Sequence, residues 1–286
     1  MAGFQELLLA WSAGALRDLP WRATRDPWAV LVSELMLQQT QVARVAPRYA
    51  AFLARFPTPA ACAAAPPAEV IRLWGGLGYN RRAINLHAAA RAACERHGGG
   101  LPDALAPLLR LPGVGPYTAR AVLAFAFERD VGVVDTNVGR VLARWAGRPL
   151  RPREAQAAAD ALVPPGRSWA WNQSLMELGA SVCRRRRPDC RSCPARAGCA
   201  WLGAGLAPPD PADGSAGVSG GQPRFEGSDR QGRGRLVDAL CRGPVPVGDA
   251  ATVMGWPGDQ PRADRVVVGL LAEGLVVTAG GELRLP

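Results

Sequence analysis

The stretch 108–125, LLRLPGVGPYTARAVLAF, decides the fold. An apolar helix end runs into Pro-Gly-Val-Gly-Pro, and a second helix follows. Gly113 and Gly115, with Val114 between them, allow a tight turn whose backbone amides face outward beside a helix N-terminus. Such amides suit a phosphate oxygen and are indifferent to base sequence. A Gly-x-Gly turn alone is usually only a turn. Flanked by LxxL and TARAV it reads as a helix–hairpin–helix that grips a nucleic-acid backbone.

Outward from this hairpin the chain is helical from residue 5 to about residue 200, with Ala, Leu and Arg-rich segments punctuated by Pro and Gly. Asp26 and Pro27 read as the N-cap and first-turn proline of one long helix through Val45. Residues 204–230 are rich in Gly, Pro and Ser, with Leu206, Val218 and Phe225 as the few large apolar residues, and read as a linker. Beyond it, RLVDALCR, VGDAATVMG and PRADRVVVGLLAEGL read as three helices. LVVTAGGELRL reads as two short strands joined at Gly280–Gly281. Three helices and a hairpin describe a winged helix, for which DNA contact and protein contact are equally open readings.

The 286 residues suffice for one large and one small domain, or for two medium ones. The formal charge of +10 favours a polyanionic partner, nucleic acid first. Every one of the 34 basic residues is arginine, so no lysine can form a Schiff base. The N-terminus, MAGFQELLLAWSAGALRDLPWR, reads as an amphipathic helix and not as a signal peptide. No apolar run approaches a membrane span, so no membrane partner is expected. Seven cysteines without a secretion signal argue for the reducing cytoplasm and against disulfides.

Four of those cysteines crowd into 183–199, CRRRRPDCRSCPARAGC. Their regular spacing reads as a metal site, open between a zinc knuckle and an iron–sulfur cluster. Cys62, Cys94 and Cys241 read as small packed hydrophobes, and His87 and His97 lack any ligand pattern.

Two carboxylates keep unusual company. Glu34 interrupts the apolar run of WAVLVSELMLQQTQVARV. Apolar neighbours on both sides imply a poorly hydrated pocket, which favours a protonated carboxyl able to act as a general acid. Asp135 in VGVVDTNVGRVL follows an apolar segment and precedes a helix, as an N-cap does. An acid and a carboxylate across a cleft are what cleavage of a glycosidic bond requires.

With LPWR, SELMLQQTQVARV, GLGYNRRA, LPGVGPYTARAV, VVDTNVGRVLARW and NQSLMELGASVC in view, the chain resembles the A/G-specific adenine DNA glycosylases. These belong to the helix–hairpin–helix superfamily, together with endonuclease III. The match runs in order from about Leu8 to Trp201. It implies a mostly α fold of two helical subdomains with the active site in the cleft between them. Residues 22–127 would form a six-helix barrel with the hairpin, and 1–21 with 128–203 an iron–sulfur subdomain. The linker 204–230 and a winged-helix-like domain, 231–286, would follow. The resemblance implies a [4Fe–4S] cluster on Cys183, Cys190, Cys193 and Cys199, bracing a loop whose Arg184 to Arg187 and Arg191 meet phosphates.

The same resemblance implies roles for single residues. Glu34 would protonate adenine, Asp135 would stabilise the sugar cation, and Asn137 would place water or the sugar. Tyr117 lies where the lyases of the superfamily carry their Schiff-base lysine, which implies a monofunctional glycosylase. Arg17, Trp21, Leu37 and Glu177 match positions lining the adenine pocket, with Glu177 accepting a bond from the exocyclic amine. Gln39, Thr40, Leu77 and Tyr79 match residues around the opposite base, with Tyr79 as a wedge. The implied partner is double-stranded DNA carrying a mismatched adenine, met by a monomer at the nucleoid.

Departures from the family are Asn80 and Thr136, where many relatives carry a second tyrosine and a glycine. The tail also differs, standing where many relatives have a β-rich domain that senses 8-oxoguanine; an actinobacterial branch resembles the present arrangement. The alternatives are a mismatch thymine or uracil glycosylase on the same scaffold, and a non-catalytic iron–sulfur DNA-binding regulator.

Overall fold

A computed structural model describes residues 2–215 and 224–286, so Val218 and the rest of 216–223 in the expected linker lie outside the described residues. The fold is mostly α, with one small three-stranded sheet near the C-terminus. Among the described residues no helix is long and apolar enough to cross a membrane. The chain divides into two compact units.

The first unit takes 1–30, 103–105 and 115–220. Its N-terminal helix, Ala2–Ala15, buries Leu8 and Leu9 among Val138, Leu142, Trp171 and Leu175. Those partners belong to the helices Thr136–Ala146 and Ser168–Glu177. Phe4 seals this core by stacking on Trp145 at 4.9 Å and meeting the edge of Trp171 at 5.5 Å. The helices Pro116–Phe125 and Pro152–Ala161 are joined by Arg120, whose guanidinium lies 2.7 Å from the Asp160 carboxylate. The start of the expected linker is held here too. Asp210 pairs with Arg144 at 2.5 Å, and the Ser215 hydroxyl accepts the Leu150 amide at 3.1 Å.

The second unit takes 31–102, 106–114 and 221–286. Its helices Val42–Arg55, Pro67–Trp74 and Arg81–His97 enclose Phe52, Phe56, Ile71, Trp74 and Leu86. The same unit contains the C-terminal module, with helices Asp229–Leu240, Ala250–Met254 and Gln260–Ala272. Its hairpin pairs Val277–Ala279 with Glu282–Arg284. A strand the sequence reading did not anticipate, Val245–Pro246, pairs with the other side of Glu282–Arg284, so the order is first–third–second. Two residues with a proline carry no alternating pattern, which is why the strand was not legible. The terminal Pro286 carbonyl accepts the Ala68 amide at 3.0 Å and ties the tail to the helical layer.

One expectation needs correction. The helix opened by Asp26 does begin there, with the Trp28 amide 2.9 Å from the Asp26 carboxylate, but it ends at Leu37 instead of running through Val45. A new helix starts at Val42. Between them Gln39 adopts φ +56°, a left-handed backbone that no α-helix contains.

At the hairpin, Gly113 has φ +78°, and a Cβ there would lie 2.6 Å from the Asn85 Cβ. Both backbone and packing therefore demand glycine. Replacing it (Gly113→Ala) should lower unfolding free energy by about 1–3 kcal/mol. If the turn grips phosphates as the sequence pattern implies, the variant should also weaken binding to matched and mismatched duplexes by a similar factor, which fluorescence anisotropy measures.

Candidate active site

In the first unit Asp135 closes the N-terminus of the helix Thr136–Ala146, its Oδ1 accepting the Val138 amide at 2.7 Å. Its Oδ2 accepts the Asn137 side-chain amide at 2.9 Å. The sequence joined these two residues by role, and the structure joins them by a bond. Asn137 is in turn held by Arg140, whose Nη2 donates to the Asn137 Oδ1 at 2.8 Å and to the Gly179 carbonyl at 2.6 Å. The same guanidinium reaches the Cys183 carbonyl through Nε at 2.8 Å. Burial pushes the Asp135 carboxyl above the ordinary aspartate range, against the bonds from Val138 and Asn137 and the charge of Arg140, which favour its anion. Gly179 packs so closely on Asn137 that a Cβ there would lie 2.6 Å from the Asn137 Cβ.

Glu177 lies in the same unit, 1% exposed, with both carboxylate oxygens engaged. Arg17 Nε donates to one at 2.7 Å and Arg22 Nη2 to the other at 2.8 Å. Arg22 also donates to the Gln173 Oε1 at 2.7 Å and to the Arg17 carbonyl at 2.9 Å. Arg22 ends the LPWR motif, yet the sequence reading gave it no role; a guanidinium's fork geometry was the available signal. Each carboxylate oxygen keeps a second lone pair for an incoming amine. Trp21 is buried nearby in the sequence, and Tyr117 is half-buried on the first turn of Pro116–Phe125.

The second unit carries Glu34, 6% exposed between the buried Leu31, Val32, Leu35 and Met36, and the half-buried Leu37. Glu34 is thus buried, with buried apolar residues on either side of it along the helix. Glu34 and Asp135 belong to different units.

The loops expected around the opposite base come together in the second unit through Arg82, which the sequence reading left without a role. Its Nη1 donates to the carbonyls of Leu35, Met36 and Gln38 at 2.7, 2.9 and 2.6 Å. Its Nη2 donates to the Thr40 hydroxyl at 3.1 Å and the Gly78 carbonyl at 2.9 Å. One guanidinium thus ends the helix Pro27–Leu37 and fixes the loop 76–79 against it. Burial pushes its pKa down to about 10. Thr40 adds a bond to the Leu77 carbonyl at 3.3 Å. Leu77 itself is buried, whereas Gln39 and Tyr79 are exposed, and Tyr79 sits at φ +47°.

Cys183, Cys190, Cys193 and Cys199 line one cavity of the first unit with Val182, Pro188 and Trp201. All four are free thiols. Among the described residues no group of three or more His, Cys, Asp or Glu is arranged to hold a metal ion as it stands. The donor set nevertheless fits a thiolate-bound group. Burial and the neighbouring thiols push Cys190 up, and burial first pushes Cys193 up to about 11, so full ionisation requires a cationic centre. Arg144 already supplies one charge, donating to the Cys183 Sγ at 3.4 Å and to the Arg184 and Arg185 carbonyls at 2.8 and 3.1 Å.

The model of the HhH-GPD superfamily base excision DNA repair proteins matches residues 32–165. An adenine DNA glycosylase of Mycobacterium tuberculosis (strain ATCC 25618 / H37Rv) is 45% identical over 292 residues, covering 98% of this chain and 92% of its own. That of Homo sapiens is 42% identical and covers 70% of this chain and 39% of its own. Among solved structures, a thermostable thymine-DNA glycosylase is similar with a TM-score of 0.65 at 30% identity, covering 70% of this chain and 95% of its own. An endonuclease III–DNA complex, at 23% identity and TM-score 0.60, covers 71% and 94% and shares the fold. The chain belongs to the HhH-GPD superfamily of base excision DNA repair proteins, and within it to the adenine DNA glycosylases.

Two outcomes follow from this geometry. Replacing Arg82 by alanine leaves buried carbonyls of two loops without donors, at about 1–3 kcal/mol for each one not reached by water. Urea melts should show at least about 2 kcal/mol lost, and Arg82→Lys should recover only part, since an ammonium cannot fork to both loops. Asp135 has a raised pKa, and the role the resemblance implies for it, stabilising a sugar cation, needs its charged form. Single-turnover base release should therefore fall on the acid side at a pH above the ordinary aspartate value of about 3.9. A general acid would give the opposite slope, so the direction assigns the limb. The folded state binds this proton more tightly than the unfolded chain. Its contribution to stability is then present below the unfolded value and lost as pH rises through the folded one.

Proposed function

We propose that this protein removes adenine mispaired with 8-oxoguanine or guanine from duplex DNA by hydrolysing the N-glycosidic bond, the first step of base excision repair. The observation that carries the reading is the pair of carboxylates in this family context. Glu34 is buried in an apolar helix, and Asp135 is fixed by the Val138 and Asn137 bonds.

The extruded adenine is protonated by Glu34, which makes it a leaving group that departs with the bonding electron pair. The sugar becomes oxocarbenium-like, and the Asp135 carboxylate stabilises it at short range in a poorly hydrated site. Asn137, oriented by Arg140, positions the water that adds to the anomeric carbon and gives its proton to the Glu34 carboxylate left by the first step. Glu177, held by Arg17 and Arg22, accepts from the exocyclic amine of the base. Tyr117 and the absence of lysine support hydrolysis without a Schiff-base lyase step.

Cys183, Cys190, Cys193 and Cys199 would hold a [4Fe–4S] cluster. A cavity lined by four thiols suits a thiolate-bound metal group, and the resemblance to iron–sulfur members of the superfamily favours the cluster over a single zinc ion. Bound there, the cluster supplies a cationic cross-link for the loop that Arg140 and Arg144 connect to the catalytic helix.

The test is single-turnover base release from duplexes with adenine opposite 8-oxoguanine, adenine opposite guanine, and thymine opposite guanine. Adenine should be released from the first two. A Glu34→Gln variant should bind these duplexes with wild-type affinity and lose at least about a hundredfold in rate, within the range for a general acid. Loss of thymine in place of adenine would overturn the reading in favour of the function named for the thymine-DNA glycosylase neighbour.

A further inference from the structure

The segment 206–215, composed like a linker, is bonded to the walls of the cysteine cavity in the first unit. Arg144 and Trp201 both line that cavity. The Asp210 carboxylate accepts from Arg144 through both oxygens, Nε to Oδ1 at 3.0 Å and Nη2 to Oδ2 at 2.5 Å. The Trp201 indole N–H donates to the Ala207 carbonyl at 2.9 Å, and the Arg144 guanidinium lies over the same ring, 4.7 Å from its centre. Asp210 is itself fixed, its Oδ1 accepting the Ala212 amide at 2.9 Å. The far end of the segment is held where the Ser215 hydroxyl accepts the Leu150 amide.

Arg144 directs its remaining donors at the tetrad loop. Nη1 reaches the Cys183 Sγ at 3.4 Å and the Arg184 carbonyl at 2.8 Å, and Nη2 the Arg185 carbonyl at 3.1 Å. Its backbone carbonyl accepts the Cys199 thiol at 3.5 Å, so one residue touches the first and the last cysteine of the tetrad. We propose that 206–215 is a strap that closes the cysteine site, with Asp210 as the positioning residue that holds Arg144 against it; this rests on the cluster reading given above. A guanidinium carries its five donors in one rigid plane, so the edge that Asp210 occupies sets the direction of the donors facing Cys183. The Arg144 side chain is 2% exposed and that of Asp210 23%, which puts the carboxylate on the water side of the pair. Without that carboxylate, buried donors lose their partner and the guanidinium gains by turning out to water. Trp201 then loses the cation over its face, and two walls of the cavity loosen together. Local opening of this kind, and not global unfolding, is what exposes thiolate-bound iron to a chelator.

The test uses the full chain, purified without oxygen, as wild type, Asp210→Ala, Asp210→Asn and Asp210→Glu, with the exposed neighbour Asp213→Asn as control. Iron and sulfide content, the visible absorbance and circular dichroism of the bound cluster, and the rate at which a chelator bleaches it are measured. Far-ultraviolet circular dichroism checks folding. Asp210→Ala and Asp210→Asn should bleach at least about tenfold faster than wild type, with an altered visible dichroism and unchanged helix content. Asp210→Glu, which keeps the charge, should recover part of the loss, and Asp213→Asn should match wild type. If the Asp210 variants load no cluster, Trp201→Phe decides, because it keeps a ring beside Arg144 and removes only the bond to Ala207. It should bleach faster than wild type, and bleaching at the wild-type rate would overturn the proposal. A loaded Asp210→Ala that bleaches at the wild-type rate would overturn the strap while leaving the cluster reading intact. A wild type without iron or sulfide would overturn the cluster reading and the strap with it.

Discussion

The bonds from Arg140 to Asn137 and to the Cys183 carbonyl carry the arrangement of the first unit. The role proposed for Asp135 asks for a carboxylate that is charged, poorly hydrated and immobile at once. Burial alone would neutralise it, and exposure alone would screen it. The helix N-terminus and the Asn137 amide resolve this by presenting donors to an anion that water reaches poorly. Asn137 can do so only while Arg140 fixes its other face. Arg140 in turn is anchored on the backbone at the first cysteine of the tetrad. A loop far from the chemistry in sequence is therefore one bond away from its geometry.

The same device recurs in the second unit. Arg82 ends one helix and pins the adjacent glycine-rich loop, so the two segments move as one body. Arg22 does the equivalent for Glu177, and Arg144 for the arginine run after Cys183. Guanidinium groups suit this work because a planar fork satisfies several carbonyls in fixed directions and stays charged when buried. Of the 34 arginines, Arg22, Arg82, Arg140 and Arg144 serve as internal scaffolding in this way.

The C-terminal module shows how fold and role separate. Its three helices and hairpin were readable from periodicity and the Gly280–Gly281 turn, and the structure adds only the short Val245–Pro246 strand. Nothing in the pattern said that its first helix begins at Asp229, within the expected linker, or that Arg230 would meet Tyr79. That contact joins residues 151 positions apart, beyond any local periodicity.

By itself the sequence determined the helical class, the hairpin, the burial of Glu34 in an apolar helix, the capping position of Asp135 and the grouping of four cysteines. Each of these is local, written in the spacing of apolar residues, glycine and proline. Tertiary structure alone decided that the helix from Pro27 stops at Leu37, because the left-handed Gln39 and the donors of Arg82 that end it lie more than forty residues apart. It also decided that Arg22 and Arg140 are the residues that hold Glu177 and Asn137. Hydrogen-bond partners distant in sequence leave no periodic trace, since a buried donor needs only an acceptor in reach, wherever in the chain it comes from.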